Sequence, residues 1–211
     1  MIRKLSLALF FTVFFCAVAY SQEAPAGPLE QGKKCLAAGQ TGEAIKEFSR
    51  LIDAGPATAW EAYYNRGIAR RAQGDVDEAI ADLTKTIAIN PVFDDAYFYR
   101  AIAYRNKGRF SEAVSDLDHF LEVHPGNAEA YCNRANAYAA SGQSEAALTD
   151  YARAITLNKD YSEAYLNRAN VYYSRKEYDK AWDDVHALQA SGTAVPPRFL
   201  SVLKAASGRE S

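Results

Sequence analysis

One alanine recurs through the chain at a nearly fixed interval: Ala44, Ala79, Ala113, Ala147 and Ala181, at spacings of 35, 34, 34 and 34 residues. Other ladders keep step with it. Tyr63, Tyr97, Tyr131 and Tyr165 are followed four places later by Gly67, Ala101, Ala135 and Ala169, with Gly32 in the matching place of the first unit. Gly39, Gly74, Gly108 and Gly142 recur between the aromatic and the alanine, and the last unit carries Lys176 there. Within one period, Asp94 to Asn127, Tyr97, Ala101 and Tyr104 fall at i, i+4 and i+7, as do Ala113, Leu117 and Phe120. Each triplet is one stripe of a helix, and Lys107-Gly108-Arg109 separates the two. Pro125 stops the second helix, and Pro56 and Pro91 stand at the same place in their units. Neither helix can bury its stripe alone. The unit is a helical hairpin that needs a neighbour.

A period near 34 carrying an aromatic, a small residue, a tyrosine, an alanine, an apolar residue and a proline in that order resembles the tetratricopeptide repeat family. The resemblance covers about residues 25–192. It implies an all-α fold, an α-solenoid of about five helix-turn-helix repeats at roughly 25–59, 60–93, 94–127, 128–161 and 162–192. The first unit is the most degenerate, with Pro28 and Cys35 where the others favour tyrosine, as expected of a terminal repeat. After the break from Ser191 to Pro197, Phe199, Val202, Leu203 and Ala206 make a short apolar stripe. Residues 193–211 are therefore expected to form a capping helix and a frayed tail.

Residues 1–21 read as a targeting segment. Arg3 and Lys4 precede a mostly apolar run from Leu5 to Tyr20, and Ala19-Tyr20-Ser21 offers a cleavage site before Gln22. The run is short for a bilayer span of about 20 residues. The expectation is an exported protein, periplasmic or secreted, with the alternative that the segment stays as a membrane anchor. With it removed, 22 basic residues face 26 acidic ones, and no basic stripe remains to suit nucleic acid.

A charge ladder runs inside the repeats. Arg66, Arg100, Arg134 and Arg168 each follow the leading tyrosine by three places, and Asp82, Asp116, Asp150 and Asp184 follow those arginines by sixteen. The guanidinium fork suits a carboxylate, so each arginine is expected to pair with an aspartate on a second helix.

With the leading tyrosine numbered as position 4, positions 4, 8 and 11 share the packed face of the first helix, and positions 2, 5, 9, 12 and 13 lie opposite. In the family this sequence resembles, that opposite face lines a concave groove that holds a segment of another protein. Here it assigns Tyr64, Ile68, Arg71, Phe98, Ile102, Arg105, Cys132, Asn136, Leu166, Asn170 and Tyr173 to partner binding, with the alternative that Tyr64, Ile68, Phe98 and Ile102 pack against the adjoining first helices. The subtype that clamps a C-terminal carboxylate is disfavoured. Position 5 carries no basic residue, and position 2 carries Glu61, Asp95, Glu129 and Glu163. Asn65, Asn133 and Asn167 alone are weak support for it.

No catalytic chemistry, cofactor or metal is expected. Cys35 and Cys132 lie nearly three units apart, too far for a bridge in a stack where units touch only neighbours. Cys132, on the groove face, is read as a small apolar residue, with a mixed disulfide to a partner as the alternative. His119 and His124 are five residues apart and His186 is remote, which gives no ligand spacing. The reading is a non-catalytic scaffold or adaptor. The alternative is a structural spacer or assembly subunit that uses its end or convex faces, self-associates, and touches a membrane only through an uncleaved N-terminus.

Overall fold

The computed structural model describes residues 27–55 and 59–209. The targeting segment and Pro56 fall outside these residues. Among the described residues eleven helices follow one another and no strand occurs. They are α1 (Pro28–Ala37), α2 (Thr41–Asp53), α3 (Ala59–Gln73), α4 (Val76–Ile89), α5 (Asp94–Asn106), α6 (Phe110–Val123), α7 (Ala128–Ala140), α8 (Ser144–Leu157), α9 (Ser162–Ser174), α10 (Tyr178–Ala190) and α11 (Pro197–Ser207). None of them is long and apolar enough to cross a membrane.

Each odd helix packs on the even helix that follows and on the one before it. The small-residue ladders explain how closely. Ala44, Ala79, Ala113, Ala147 and Ala181 are wholly buried. They face Gly32, Gly67, Ala101, Ala135 and Ala169, where larger side chains would hold the helices apart. At Gly32 even a Cβ would come within 2.4 Å of the Phe48 ring. At one repeated place in each hairpin a larger side chain helps fill the remaining space: Phe48, Leu83, Leu117, Tyr151 and Val185, each buried.

The hairpin turns follow one plan. At α5–α6, the Arg109 amide donates to the Tyr104 carbonyl at 2.9 Å and the Gly108 amide to that of Arg105 at 3.0 Å. This is the doubly bonded C-terminal cap that requires a left-handed residue. Gly108 supplies it at φ 74°, and Lys176 is forced into the same region at φ 63° in the last hairpin.

The charge ladder closes as expected. Arg66, Arg100, Arg134 and Arg168 fork onto Asp82, Asp116, Asp150 and Asp184 with N–O distances of 2.6–3.0 Å. Three of the four also reach back to the preceding hairpin, to Ser49, Thr84 and Asp118. Ala152 stands at the fourth such place and offers no acceptor. Each guanidinium lies over its leading tyrosine, with its carbon 5.4–5.7 Å from the ring centre.

At the C-terminal end, α11 covers the last hairpin. Phe199 and Leu203 are buried with Trp182, Val185 and Leu188, and the Trp182 indole donates to the Ser207 hydroxyl at 3.0 Å. Val202 and Ala206, the other half of the expected stripe, stay exposed.

Candidate functional site

Successive odd helices also touch one another, α1 to α3, α3 to α5, α5 to α7 and α7 to α9. They therefore form the tighter, inner ring of the stack, the wall that the sequence assigned to a partner.

Two of the eleven assigned residues are not on that wall. Phe98 is buried in the core with Leu117, Phe120, Leu121, Ala130 and Ala137, its ring 5.0 Å from that of Phe120. Cys132 is 1% exposed among Tyr151, Ala154, Ala164 and Val171. The cause is the next repeat. Position 5 of α5 and α7 lies under the alanine-lined side of the following odd helix, which a wheel drawn for a lone hairpin leaves out. Burial also pushes the Cys132 thiol up to about 12, which removes it as a nucleophile for a mixed disulfide.

Of the other nine, all on odd helices, eight are half-buried and Asn170 is exposed. Tyr64 is half-buried and stands edge-on to Phe93, centroids 4.8 Å apart, with Tyr99 at 5.8 Å. Burial beside Tyr99 raises its hydroxyl pKa well above the ordinary tyrosine value. The Arg71 guanidinium lies 5.6 Å over the same Tyr99 ring. Ile68 is half-buried on α3, and Ile102 is half-buried against the α5–α6 core. The Nε–H groups of Arg71 and Arg105 are buried with no acceptor among the described residues.

Toward the C-terminus the wall turns polar. The Asn136 Oδ1 accepts from the Tyr151 hydroxyl at 2.5 Å and from Asn167 Nδ2 at 2.9 Å, and its Nδ2 lies 3.5 Å from Glu163. Asn170 is exposed, its Nδ2 donating to the Leu166 carbonyl at 2.8 Å. Two depressions adjoin there. One, of about 400 Å³, is lined by Asn136, Tyr151, Asn167, Asn170 and neighbouring small residues. The other, of about 420 Å³, lies between α9 and α11, where Leu166, Asn170 and Tyr173 face Pro196, Arg198, Phe199 and Val202. Asn170 belongs to both.

The clamp asparagines are otherwise engaged: Asn65 and Asn133 donate to the carbonyls of Glu61 and Glu129 in their own helices. Among the described residues no group of three or more His, Cys, Asp or Glu side chains could hold a metal.

Sequence reasoning missed Tyr99, Tyr151 and the contribution of α11. Tyr151 was legible: it breaks a ladder that otherwise reads Phe48, Leu83, Leu117 and Val185, and a hydroxyl in that place must find a partner. Tyr99 gave no such signal.

Four profiles described as TPR repeat or tetratricopeptide repeat match residues 29–97, 95–127, 117–149 and 135–176, end to end across 29–176. DnaJ homolog subfamily C member 3 is 43% identical in Mus musculus and 42% in Homo sapiens over 65 residues, 31% of this chain. The matched stretch spans 13% of those relatives' length. Among solved structures, MamA of Desulfovibrio magneticus RS-1 superposes with a TM-score of 0.73 at 18% identity, covering 79% of this chain and 96% of that one. A tetratricopeptide repeat protein from Parabacteroides merdae ATCC 43184 gives 0.73 at 20% identity, covering 86% and 72%. At these identities the likeness is one of fold.

Proposed function

The chain belongs to the tetratricopeptide repeat family, a protein-interaction scaffold, and from that premise we propose that its inner wall binds a segment of another protein without catalysing a reaction. One observation carries this reading: the two adjoining depressions at the C-terminal half of the wall, which share Asn170. Their lining combines apolar walls for a side chain, Leu166, Tyr173 and Phe199, with amides suited to a peptide backbone, Asn136, Asn167 and Asn170. The ion ladder holds the hairpins in register, so the wall is organised before a partner arrives and little ordering cost attends binding.

We also place this binding outside the cytoplasm, on the strength of the targeting pattern in residues 1–21. N-terminal sequencing of the mature protein tests it. A chain that begins at Gln22 in the envelope or medium is the expected result, and an intact Met1 in the cytoplasm refutes it.

For the groove itself, a photo-crosslinking residue is placed at Asn170 and, separately, at Val92, which is 81% exposed in the α4–α5 loop. The expected outcome is a discrete protein adduct from position 170 and none from position 92, with Asn170→Arg abolishing capture by blocking both depressions. Adducts from 92 alone, or capture that survives Asn170→Arg, overturn the reading.

A further inference from the structure

Within the odd helices, Arg66, Arg70, Arg100, Arg134 and Arg168 direct their guanidiniums to carboxylates of the fold. Among the described residues Arg71 and Arg105 meet none. They hold equivalent places one repeat apart, in the last turns of α3 and α5, and both Nε–H groups are buried without an acceptor. Nearly all buried donors in folded proteins are paired, so two orphans at repeat-equivalent positions call for an explanation. The acids on the same wall do not supply it. Asp95, whose charge is felt at Tyr64 together with that of Arg71, and Glu129 and Glu163, felt at Cys132 together with that of Arg105, form no ion pair with either arginine, and Glu163 is approached by Asn136 instead. Arg71 is held over the Tyr99 ring, with Tyr64 beside it, so its cation stands at the rim of an aromatic patch.

We propose that Arg71 and Arg105 are anion-recognition residues, and that the partner is an acidic segment presenting one side-chain carboxylate to each. Neighbouring packed helices lie about 8–10 Å apart. An extended chain advances about 3.3 Å per residue, so acids three residues apart match the two arginines. A guanidinium fork gives such carboxylates direction as well as charge. This inference rests on the groove reading above and adds the chemistry of the occupant.

The test is an array of short extended peptides with Glu or Gln at every pair of positions three apart, probed with the full chain and with its Arg71→Gln, Arg105→Gln and doubly substituted forms. Neither arginine is in an ion pair of the fold, so the variants should melt with the wild type, which circular dichroism checks. The expected result is selection of paired acids by the wild type, with affinity falling about tenfold for each arginine removed and the preference lost in the double variant. Binding should weaken with added salt. Peptides bound with no preference for acids, or an acid preference that survives the double substitution, overturn this inference and leave the groove reading standing. No peptide bound at any composition by the folded wild type overturns both.

Discussion

Asp82 is the sole aspartate of the ladder that serves two arginines. It accepts from Arg66 Nε and Nη2 at 2.9 Å each and from Arg70 Nη1 at 2.7 Å, and its side chain is 4% exposed. Asp150 is the opposite case. Its arginine, Arg134, has a second carboxylate, Asp118, at 2.6 Å. Substituting Asn for either aspartate keeps the shape and one acceptor, so the comparison isolates charge. Asp82→Asn strands two guanidiniums that are 13% and 24% exposed, and removing one partner of a buried pair costs about 3–5 kcal/mol. The partly wet Arg70 moves the figure to the lower end, about 3 kcal/mol. Asp150→Asn leaves Arg134 paired to a half-exposed carboxylate, and the loss should be about half as large, about 1–2 kcal/mol. For a chain of this size each kcal/mol lowers the melting temperature by about 2–4 °C, so the two variants should separate clearly. Urea unfolding followed by far-ultraviolet circular dichroism reads both. If Asp150→Asn costs as much as Asp82→Asn, or if neither moves the midpoint, the ladder does not hold the stack together in the way argued.

Three further outcomes follow from local geometry. Lys176→Gly should raise stability by roughly 0.5–1 kcal/mol, because it relieves a left-handed lysine that costs about 1–2 kcal/mol and returns part of that gain as unfolded-chain entropy; thermal melts check it, and a lower midpoint would refute the strain. Gly32→Ala should destabilise by about 1–3 kcal/mol, since its Cβ meets the buried Phe48 ring, and the loss should show as early exchange of amides in α1 and α2. Cys132, with a thiol pKa raised by burial from the ordinary value, stays protonated up to about pH 12 in the fold and ionises near its usual value only when unfolded. Alkylation at pH 8 should therefore wait for denaturant; rapid labelling of the native protein would refute the burial.

The fold was legible because its determinants lie in phase. The alanine ladder and the small residues opposite it are enforced by helix contact in every hairpin, so each repeat restates the same constraint. The inner wall was half legible, and the reason lies in one direction of packing. The wheel drawn for one hairpin counts the second helix as the sole neighbour. It therefore gives Phe98 and Cys132 to solvent. The structure adds a second small-residue stripe, Ala62, Ala96, Ala130 and Ala164 with Ala69, Ala103 and Ala137, all buried. In α7 its members Ala130 and Ala137 lie against Phe98, and in α9 Ala164 lies with Cys132. That stripe was present in the sequence at the same period and marks the face each odd helix turns toward the preceding repeat. Position 9 differs between repeats: Asn136 is half-buried and bonded to Tyr151 of α8 and Asn167 of α9, whereas Asn170 is exposed.

The two kinds of arginine in this chain make the division between frame and wall a matter of charge accounting. Three residues after each tyrosine, the guanidinium finds an aspartate across the hairpin and is neutralised inside the fold. Eight residues after Tyr63 and Tyr97, the guanidinium makes no ion pair with a carboxylate, and its Nε–H is left without an acceptor among the described residues. A fold able to satisfy the first set could satisfy the second with one acidic residue on the next odd helix. At position 6 of the next odd helices stand Tyr99 and Asn133, and the acids at position 2, Asp95 and Glu129, form no ion pair with either arginine. Tyr99 supports the cation without neutralising it, and Asn133 is committed to its own helix. The two guanidiniums are thus held by aromatic and helical packing, with no ion pair to a carboxylate among the described residues.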